Sequence, residues 1–320
     1  MSIDTEFMSA AIELAERGPH SSNPRVGAVC VKNGIVIGTG YHHGVGTAHA
    51  EVEALAVAGD NAAQADLYVS LEPCSHFGRT PPCTQAIIAA GIRRVIYAQP
   101  DPSAEAGGGA EILRAAGIEV TDDIEKARSS ELNREWNHRI KTGVPFVTWK
   151  FAQSLDGRVS ARRGERTRIS GMESQRFIHE LRSRVGAIVV GTQTFLIDQP
   201  SLAARETDGS LKQSQPLRAV MGLRDIAPAE FVHLATHDPK EALLGLAALG
   251  VNHILLEGGP MLAAAFLHAG CIDEVISITA AISLGAGPRS LVTRSPVMNR
   301  INITSTLILG ADLVQIGLFE

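Results

Sequence analysis

The sequence predicts an α/β protein of two domains, and three observations support this fold class. Short apolar runs typical of buried strands alternate with helix-like segments along the chain of 320 residues. That length is enough for about two domains of ordinary size. A polar helical stretch at about Ile124–Lys141 ends at Thr142-Gly143-Val144-Pro145, after which a second alternating segment begins. We therefore expect one domain over residues 1–143 and another over residues 144–320.

In the N-terminal domain, the first helix is expected over about Asp4–Arg17, opened by Asp4 or Thr5 and stopped by Gly18-Pro19. The elements that follow alternate in type: a hairpin of Gly27–Val31 and Ile35–Thr39 with an Asn33-Gly34 turn, a helix at His49–Ala58, a strand at Leu67–Leu71, a helix at Cys83–Ala90, a strand at Arg94–Ala98 and a helix at Ala110–Ala116. Such alternation predicts a helix-covered sheet with the functional site at the strand ends.

The C-terminal domain shows the same alternation. Strands are expected at Phe146–Ala152, Ala187–Val190, Leu217–Met221, His253–Leu256 and Glu274–Ala280, and helices at Glu173–Ser183, Lys240–Leu249 and Pro260–Ala269. Gly310 splits the last apolar stretch into a closing antiparallel pair, Ser305–Leu309 and Asp312–Leu318.

Composition and charge exclude several classes of function. The chain is 45% apolar and 20% charged, which is typical of a soluble globular protein. Its formal net charge of −5 argues against a dedicated nucleic-acid binder, which usually presents a basic face. There is no apolar run long enough to span a membrane and no secretory pattern at Met1–Pro24. We therefore expect a cytoplasmic protein without nucleic-acid or membrane partners.

Two of the four cysteines differ from the others in their setting. Cys30 and Cys271 adjoin apolar or helical stretches and are expected to be small buried hydrophobes. Cys74 and Cys83 lie instead at the two ends of a Pro/Gly-rich loop, where metal binding or catalysis is more probable than a disulfide. Together with His49 they would supply three zinc ligands and leave the fourth position open for water.

The spacing of His49-Ala50-Glu51 adds a proton carrier to this set. Zinc lowers the pKa of a bound water toward about 7, and a carboxylate that is not a ligand must then move protons. Residues two apart lie on nearly opposite sides of a helix, so His49 and Glu51 can converge only in the first turn. Cys83, after Pro81-Pro82, is likewise expected at a helix start, whose dipole favours a thiolate. The alternatives are a closed structural site, with His76 as the nearest fourth ligand, or no metal at all.

Several longer motifs closely resemble the bifunctional riboflavin-biosynthesis deaminase–reductase family. The resemblance covers nearly the whole chain and is carried by Ser22–Val29 (SNPRVGAV), His49–Leu55 (HAEVEAL), Leu71–Cys83 (LEPCSHFGRTPPC), Lys150–Gly157 (KFAQSLDG) and Leu256–Pro260 (LEGGP). It implies an N-terminal cytidine-deaminase-like three-layer αβα domain and a C-terminal dihydrofolate-reductase-like α/β domain.

The resemblance also implies two consecutive reactions. The first removes the 2-amino group of a diaminopyrimidinone that carries ribosylamine 5′-phosphate, and it uses one zinc ion per chain. The second reduces the ribosyl group of the product to ribityl with NADPH. A homodimer or a higher homo-oligomer is expected.

Motif positions carry the family's functional residues onto this chain. Contacts to the deaminase substrate are expected from Asn23, His76, Arg79, Thr80 and Asp101, with Arg79 as the anchor for phosphate or for the ring edge. Contacts to the reductase substrate are expected from Lys150, Arg166, Arg182, Leu202, Arg205 and Glu257, with Arg182 and Arg205 suited to phosphate. Cofactor contacts are expected from Ala152, Arg168, Thr194, Asp198, Gly259, Pro260, Met261, Leu262, Ala263, Ala264 and Ala265.

Alternatives remain open at this point. Arg168 stands where the family often has Trp, and Gln199 replaces the second Asp of an Asp-Asp-Pro. The chain could therefore be a deaminase whose C-terminal domain is inactive or altered in substrate. It could also be a zinc deaminase of another nucleobase, or a binding module with a structural zinc site and a nucleotide-sensing domain. The sequence does not distinguish NADPH from NADH.

Overall fold

A computed structural model describes residues 2–77, 81–291 and 299–320. The expected substrate residues Arg79 and Thr80 lie outside the described residues. The chain divides into two compact units, Met1–Thr142 and Gly143–Glu320, referred to below as the N-terminal and C-terminal units. Within the described ranges, no helix combines the length and the apolar character that crossing a membrane requires.

The N-terminal unit is built on a five-stranded sheet of order β2-β1-β3-β4-β5. Its strands are β1 (Gly27–Lys32), β2 (Ile35–Tyr41), β3 (Asp66–Leu71), β4 (Arg94–Gln99) and β5 (Glu119–Thr121). Its helices are α1 (Ile3–Ala15), α2 (Ala50–Ala58), α3 (Cys83–Ala89), α4 (Gly109–Ala115), α5 (Lys126–Leu132) and α6 (Arg134–Thr142), with a 3₁₀ turn at Gly59–Ala62. The predicted hairpin turn is confirmed, because Asn33 and Gly34 both have positive φ and Lys32 pairs with Ile35.

Helices cover both faces of this sheet, because successive strand residues point to opposite sides. On one face, Met8 and Ile12 of α1 pack with Val29 of β1. On the other, Ala54 of α2 and Ile87 of α3 pack with further strand residues in a second cluster. This is the three-layer αβα arrangement that was expected, and it places the starts of α2 and α3 near the end of β3.

The C-terminal unit contains an eight-stranded sheet of order β12-β13-β11-β6-β10-β7-β8-β9. Its strands are β6 (Phe146–Ser154), β7 (Ala187–Gly191), β8 (Leu217–Met221), β9 (Val232–Leu234), β10 (His253–Leu256), β11 (Glu274–Ala280), β12 (Ile301–Leu309) and β13 (Asp312–Phe319). Its helices are α7 (Met172–Arg184), α8 (Thr192–Asp198), α9 (Pro239–Ala248) and α10 (Pro260–His268). The last two strands are the predicted antiparallel pair, and strands β6 to β11 pair in parallel with their neighbours among themselves.

The structure corrects the predicted long helix at Ile124–Lys141. That stretch is two helices, α5 and α6, separated by Asn133. The Asn133 side chain accepts a hydrogen bond from the Arg25 backbone N–H at 2.8 Å and donates to the Arg25 carbonyl at 2.9 Å. A buried side chain that pairs with another segment's backbone competes with continuous helix, so the interruption follows from a long-range contact.

Smaller differences concern element ends and short elements. The first helix is capped by Ser2, whose side chain accepts from the Thr5 N–H, rather than by Asp4 or Thr5. Asp4 instead binds Arg94 at 2.9 Å. The elements β5, α8 and β9, which are short, were not predicted from the sequence. Cys30 is fully buried as predicted, whereas Cys271 is only partly buried.

Candidate functional site

The structure brings His49, Cys74 and Cys83 together at one end of the N-terminal sheet. His49 is the residue before α2, Cys83 is the first residue of α3, and Cys74 lies in the loop after β3. The His49 Nδ1 atom is 3.1 Å from the Cys83 Sγ atom and 3.5 Å from the Cys74 Sγ atom. The possible ligand atoms of the three residues all lie within 4.8 Å of one another. Two helix starts and one loop thus meet at a single point.

This donor set fits zinc. Zinc binds imidazole nitrogen at about 2.0 Å and thiolate sulfur at about 2.3 Å, so tetrahedral ligands lie about 3.6 Å apart. The nitrogen–sulfur distances here are close to that separation. Within the described parts of the chain, no fourth His, Cys, Asp or Glu joins the group, and His76 is not in it. Three protein ligands are the pattern of a catalytic zinc site rather than of a closed structural one.

Glu51 lies beside this cluster in the first turn of α2, where it is 4% exposed. Burial raises the pKa of its carboxyl, and the neighbouring His49 opposes that rise. Its carboxyl also interacts with the Cys83 thiol. A buried carboxyl that exchanges its proton more readily near neutral pH suits a general acid–base group.

The two thiols polarise one another. The Cys83 thiol hydrogen-bonds to the Cys74 sulfur, and this bond lowers the pKa of Cys74 to about 4 against the effect of burial. The Cys83 backbone N–H, at the start of α3, also donates to the Cys74 sulfur at 3.3 Å. Hydrogen bonding to Cys74 and burial together raise the pKa of Cys83. A thiol whose pKa is lowered in this way favours the binding of a cation.

A cavity of about 530 Å³ opens beside the cluster and is lined by three of the expected substrate residues, Asn23, His76 and Asp101. The Asn23 amide nitrogen lies 2.9 Å from the His42 Nε2 atom. Burial raises the pKa of Asp101 to about 6, although its carboxylate accepts a hydrogen bond from the Ser103 N–H at 2.8 Å. A cavity of this volume accommodates a small-molecule ligand.

Sequence reasoning missed several residues of this site. His42, Trp136 and Arg139 also line the cavity. Glu72, directly after β3, lines it as well and is 8% exposed. The position of Glu72 before Pro73-Cys74 was a signal that could have been used. No comparable local signal marks α6, which reaches the cavity only through the fold.

In the C-terminal unit, Lys150, Arg182 and Glu257 form a buried charge cluster. Arg182 donates two hydrogen bonds to the Glu257 carboxylate, at 2.7 and 2.9 Å, and the Lys150 ammonium lies 3.7 Å from the same group. Burial alone would raise the pKa of Glu257, but the two cations lower it to about 2. Burial lowers the pKa of Lys150, which Glu257 opposes. The structure thus brings together three of the six residues expected to contact the reductase substrate.

The other three lie in different settings. Leu202 is 1% exposed, belongs to a core cluster and has a φ of 49°, which is unusual for a large side chain. Arg205 donates to the Gly209 carbonyl at 2.8 Å. Arg166 lies near Asp198, where it lowers the pKa of a carboxyl that burial raises.

Seven of the eleven expected cofactor residues, Gly259 to Ala265, form the start of α10. The Gly259 N–H donates to the Thr194 hydroxyl at 3.0 Å, which links α10 to α8. Met261 is 65% exposed, whereas Ala263 and Ala264 are buried, so these alanine side chains pack inward. Ala152 packs against a core cluster, and Arg168 donates to the Gln175 side chain at 2.9 Å. Gly258 precedes Gly259 at the start of α10. A Cβ atom on Gly258 would contact the Leu262 side chain, so glycine keeps the turn before α10 compact.

Two family models match the chain. The model described as the cytidine and deoxycytidylate deaminase zinc-binding region matches residues 1–99. The model described as the RibD C-terminal domain matches residues 145–315. The first match contains His49, Glu51 and Cys74, and the second contains the cluster around Glu257.

Curated relatives match along nearly the whole chain. The riboflavin biosynthesis protein RibD of Mycobacterium tuberculosis is 45% identical over 327 residues, covering 98% of this chain and 94% of the relative. The protein of the same name from Escherichia coli is 35% identical over 336 residues, with 91% of each chain covered.

Solved structures agree with this assignment. RibD of Acinetobacter baumannii superposes with a TM-score of 0.92 at 33% identity, covering 99% of both chains. A diaminohydroxyphosphoribosylaminopyrimidine deaminase/5-amino-6-(5-phosphoribosylamino)uracil reductase of Thermotoga maritima gives a TM-score of 0.87 at 28% identity, again over 99% of both chains. The chain belongs to the RibD family, the bifunctional deaminase–reductases of riboflavin biosynthesis, with a zinc-binding deaminase domain and a reductase domain of the dihydrofolate-reductase-like fold.

Proposed function

We propose that the N-terminal unit deaminates a diaminopyrimidinone bearing ribosylamine 5′-phosphate and that the C-terminal unit then reduces the product with NADPH. The substrate is that of the reaction named for the Thermotoga maritima relative. The observation that carries the proposal is the convergence of His49, Cys74 and Cys83 beside the buried Glu51, at the wall of a ligand-sized cavity.

In the deaminase, His49, Cys74 and Cys83 would hold one zinc ion. When bound, zinc supplies a Lewis acid that makes water nucleophilic at neutral pH. Glu51 takes a proton during attack on the ring carbon and returns protons to the ring nitrogen and the departing amine, so that water is consumed and ammonia leaves. Its raised pKa suits both steps. Asn23 and Asp101 present an amide and a carboxyl to the polar ring edge.

In the reductase, Thr194, Asp198 and the start of α10 would hold NADPH, which would supply the hydride for reduction of the ribosyl group at its C1 carbon. The Lys150 Nζ atom lies 3.7 Å from the Glu257 carboxylate and can donate a hydrogen bond to the sugar. Arg182 binds Glu257 with one edge of its guanidinium and thereby fixes the carboxylate that orients Lys150. Of the two arginines expected to suit the phosphate, Arg182 and Arg205, the second does not bind Glu257. Its guanidinium can bind a dianion with paired hydrogen bonds.

The direct test supplies the purified chain with the diaminopyrimidinone phosphate, with and without NADPH, and identifies the products by mass. Without NADPH we expect only the deaminated product, in which a carbonyl oxygen replaces the amino group. With NADPH we expect the further gain of two hydrogens. The same incubation with NADH determines which cofactor is used.

Other outcomes of this incubation would support a different function. Deamination without any reduction by either cofactor would leave a deaminase with an altered C-terminal unit. Failure to deaminate, combined with turnover of a free base or a nucleoside, would contradict the proposed substrate. The homo-oligomer stays a prediction, which light scattering of the purified chain can test.

A further inference from the structure

We propose that Glu72 is a positioning residue of the deaminase, one that fixes the loop of residues 101–110 against the segment carrying Cys74. Through this contact, a metal ligand and one wall of the substrate cavity are held as a single unit. The inference rests on the proposed deamination, because it names what sets the geometry of that site.

The Glu72 carboxylate is buried and accepts hydrogen bonds from three backbone N–H groups of this loop. Its Oε2 atom accepts from Asp101 at 3.2 Å, and its Oε1 atom accepts from Gly108 at 3.1 Å and from Ala110 at 3.0 Å. The last two bonds satisfy N–H groups at the start of α4 that have no helical partner. One side chain thus accepts hydrogen bonds from three backbone N–H groups, and a buried N–H group left without an acceptor costs free energy.

Ser75 makes the matching connection on the other side of Cys74. Its backbone N–H donates to the Ala106 carbonyl at 3.1 Å, and its hydroxyl donates to the Gly107 carbonyl at 2.7 Å. Glu72 therefore accepts hydrogen bonds from N–H groups of the loop, whereas Ser75 donates hydrogen bonds to carbonyl groups of the loop. Cys74 therefore lies in a short segment that is attached to the loop before and after the thiol.

The glycine cluster Gly107–Gly109 permits this close approach. A Cβ atom on Gly109 would lie 1.8 Å from the Pro73 carbonyl oxygen, and one on Gly107 would lie 3.0 Å from the Ser103 carbonyl oxygen. Gly108 has a φ of 85°, which a residue with a side chain rarely adopts. Gly109 is thus explained by contact with the segment that carries Cys74, and Gly107 and Gly108 by the conformation of the loop itself.

The attached loop forms part of the cavity, since Asp101, Ser103 and Ala106 all line it. The Glu72 backbone N–H also donates to the Gln99 carbonyl at 2.9 Å, so β3 and β4 continue their pairing up to the loop. A change at Glu72 should therefore displace Asp101, which is expected to contact substrate, and should alter how Cys74 is presented.

The first test compares Glu72→Gln with Glu111→Gln by amide hydrogen exchange in metal-free protein. Glu111 is an exposed carboxylate in the first turn of the same helix, so it controls for a loss of charge near the start of α4. We expect the amides of Asp101, Gly108 and Ala110 to exchange faster in Glu72→Gln only. Unchanged protection of these amides in Glu72→Gln would overturn the inference.

The second test uses deaminase kinetics and the visible spectrum of Co²⁺-substituted protein. We expect Glu72→Gln to raise KM for the pyrimidine and lower kcat/KM by roughly 10- to 100-fold, the usual cost of losing a residue that supports metal ligands. The sulfur-to-cobalt bands should shift. The reductase constants of the same chain should not change, which shows that the protein is folded. A wild-type KM and an unshifted spectrum would contradict a positioning role.

Asp4→Asn separates positioning from ordinary stabilisation. The Asp4 carboxylate binds Arg94 and Tyr68 and does not line the cavity. We expect this variant to unfold more easily while keeping the wild-type KM and cobalt spectrum. If Asp4→Asn and Glu72→Gln changed KM alike, Glu72 would be no more than a structural residue.

Ser75→Ala keeps the test decisive if Glu72→Gln does not fold. It removes only the hydroxyl bond and should give the same changes to a smaller degree, whereas wild-type kinetics and exchange would count against the proposal. The outcome for the wild-type enzyme distinguishes the two levels of the account. Wild-type protein that fails to deaminate contradicts the proposed function, whereas active wild type with an unaffected Glu72→Gln variant contradicts only the inference.

Discussion

The two units handle buried charge in opposite ways. The N-terminal unit places an imidazole and two sulfurs around one point. The carboxyl of Glu51 lies beside them, and burial raises its pKa. The C-terminal unit places the carboxylate of Glu257 between two cations, which lower its pKa to about 2. In the N-terminal unit, the donor atoms are arranged to bind an external cation. In the C-terminal unit, the protein's own cationic side chains balance the buried carboxylate.

Because of this difference, a different part of each site is vulnerable. Removal of a metal should disable the N-terminal unit and leave the C-terminal unit intact. Removal of one side chain from the charge cluster should leave another buried charge without its partner, so it should affect both folding and activity there.

Chelation should abolish deamination by the wild-type chain and leave the reductase rate on the deaminated substrate unchanged. Without a metal, His49, Cys74 and Cys83 hold nothing that can activate water. No other residue within the described ranges joins this donor group. Rates of both reactions are measured before dialysis against a chelator, after it, and after zinc is added back. Persistent deamination by metal-free protein would break the contrast, as would a parallel loss of reduction.

Glu257→Gln should destabilise the C-terminal unit by about 3–5 kcal/mol, since it removes the anion from a buried pair. Reduction should be lost as well, because Lys150 and Arg182 lose the group that orients them. The chain contains two tryptophans, so a Trp136→Phe background leaves Trp149 to report denaturant unfolding of this unit alone. Glu180→Gln is the matched control, since that carboxylate lies on α7 with 45% of its side chain exposed and pairs with Arg184 and Lys212 near the surface. Equal stability of the two variants would contradict a buried charge cluster.

The pH dependence of stability should also differ between the variants. The folded pKa of Glu257 is about 2, below the ordinary 4.5, so the unfolded chain binds a proton first as the pH falls. The stabilisation is complete above about pH 5 and is lost between about pH 4.5 and about pH 2, with a total of about 3 kcal/mol. Unfolding of the Trp136→Phe protein should follow this slope, and its Glu257→Gln derivative should lack the Glu257 contribution. Identical slopes would show that Glu257 keeps an ordinary pKa.

Much of the fold could be predicted, because the signals were local. The Asn33-Gly34 turn, the Gly310 break and the apolar runs each determine structure within a few residues. The break at Asn133 could not be predicted in this way, since it depends on Arg25, more than a hundred residues away in the sequence. The short strands β5 and β9 depend on pairing with neighbouring strands rather than on a pattern of their own.

The candidate site likewise contains residues that local sequence predicts and residues that only the tertiary fold places. The expectation that His49, Glu51 and Cys83 lie at helix starts followed from spacing and prolines, and the structure places all three there. Glu72 was missed because its carboxylate acts on a loop that begins some thirty residues later. Trp136 and Arg139 reach the cavity from α6, a placement that only the tertiary fold provides.

A comparison of wild type with Glu51→Gln, both in zinc-loaded form, tests whether Glu51 carries protons in deamination. Both proteins receive either the diaminopyrimidinone phosphate or its deaminated product, with NADPH, and the products are identified by mass. Glu53→Gln is the control in the same helix, since that carboxylate binds the Tyr41 N–H. We predict that Glu51→Gln retains zinc and reduces the deaminated product normally, but deaminates about 10²- to 10⁴-fold more slowly. Deamination at the wild-type rate by the zinc-loaded variant would contradict the account.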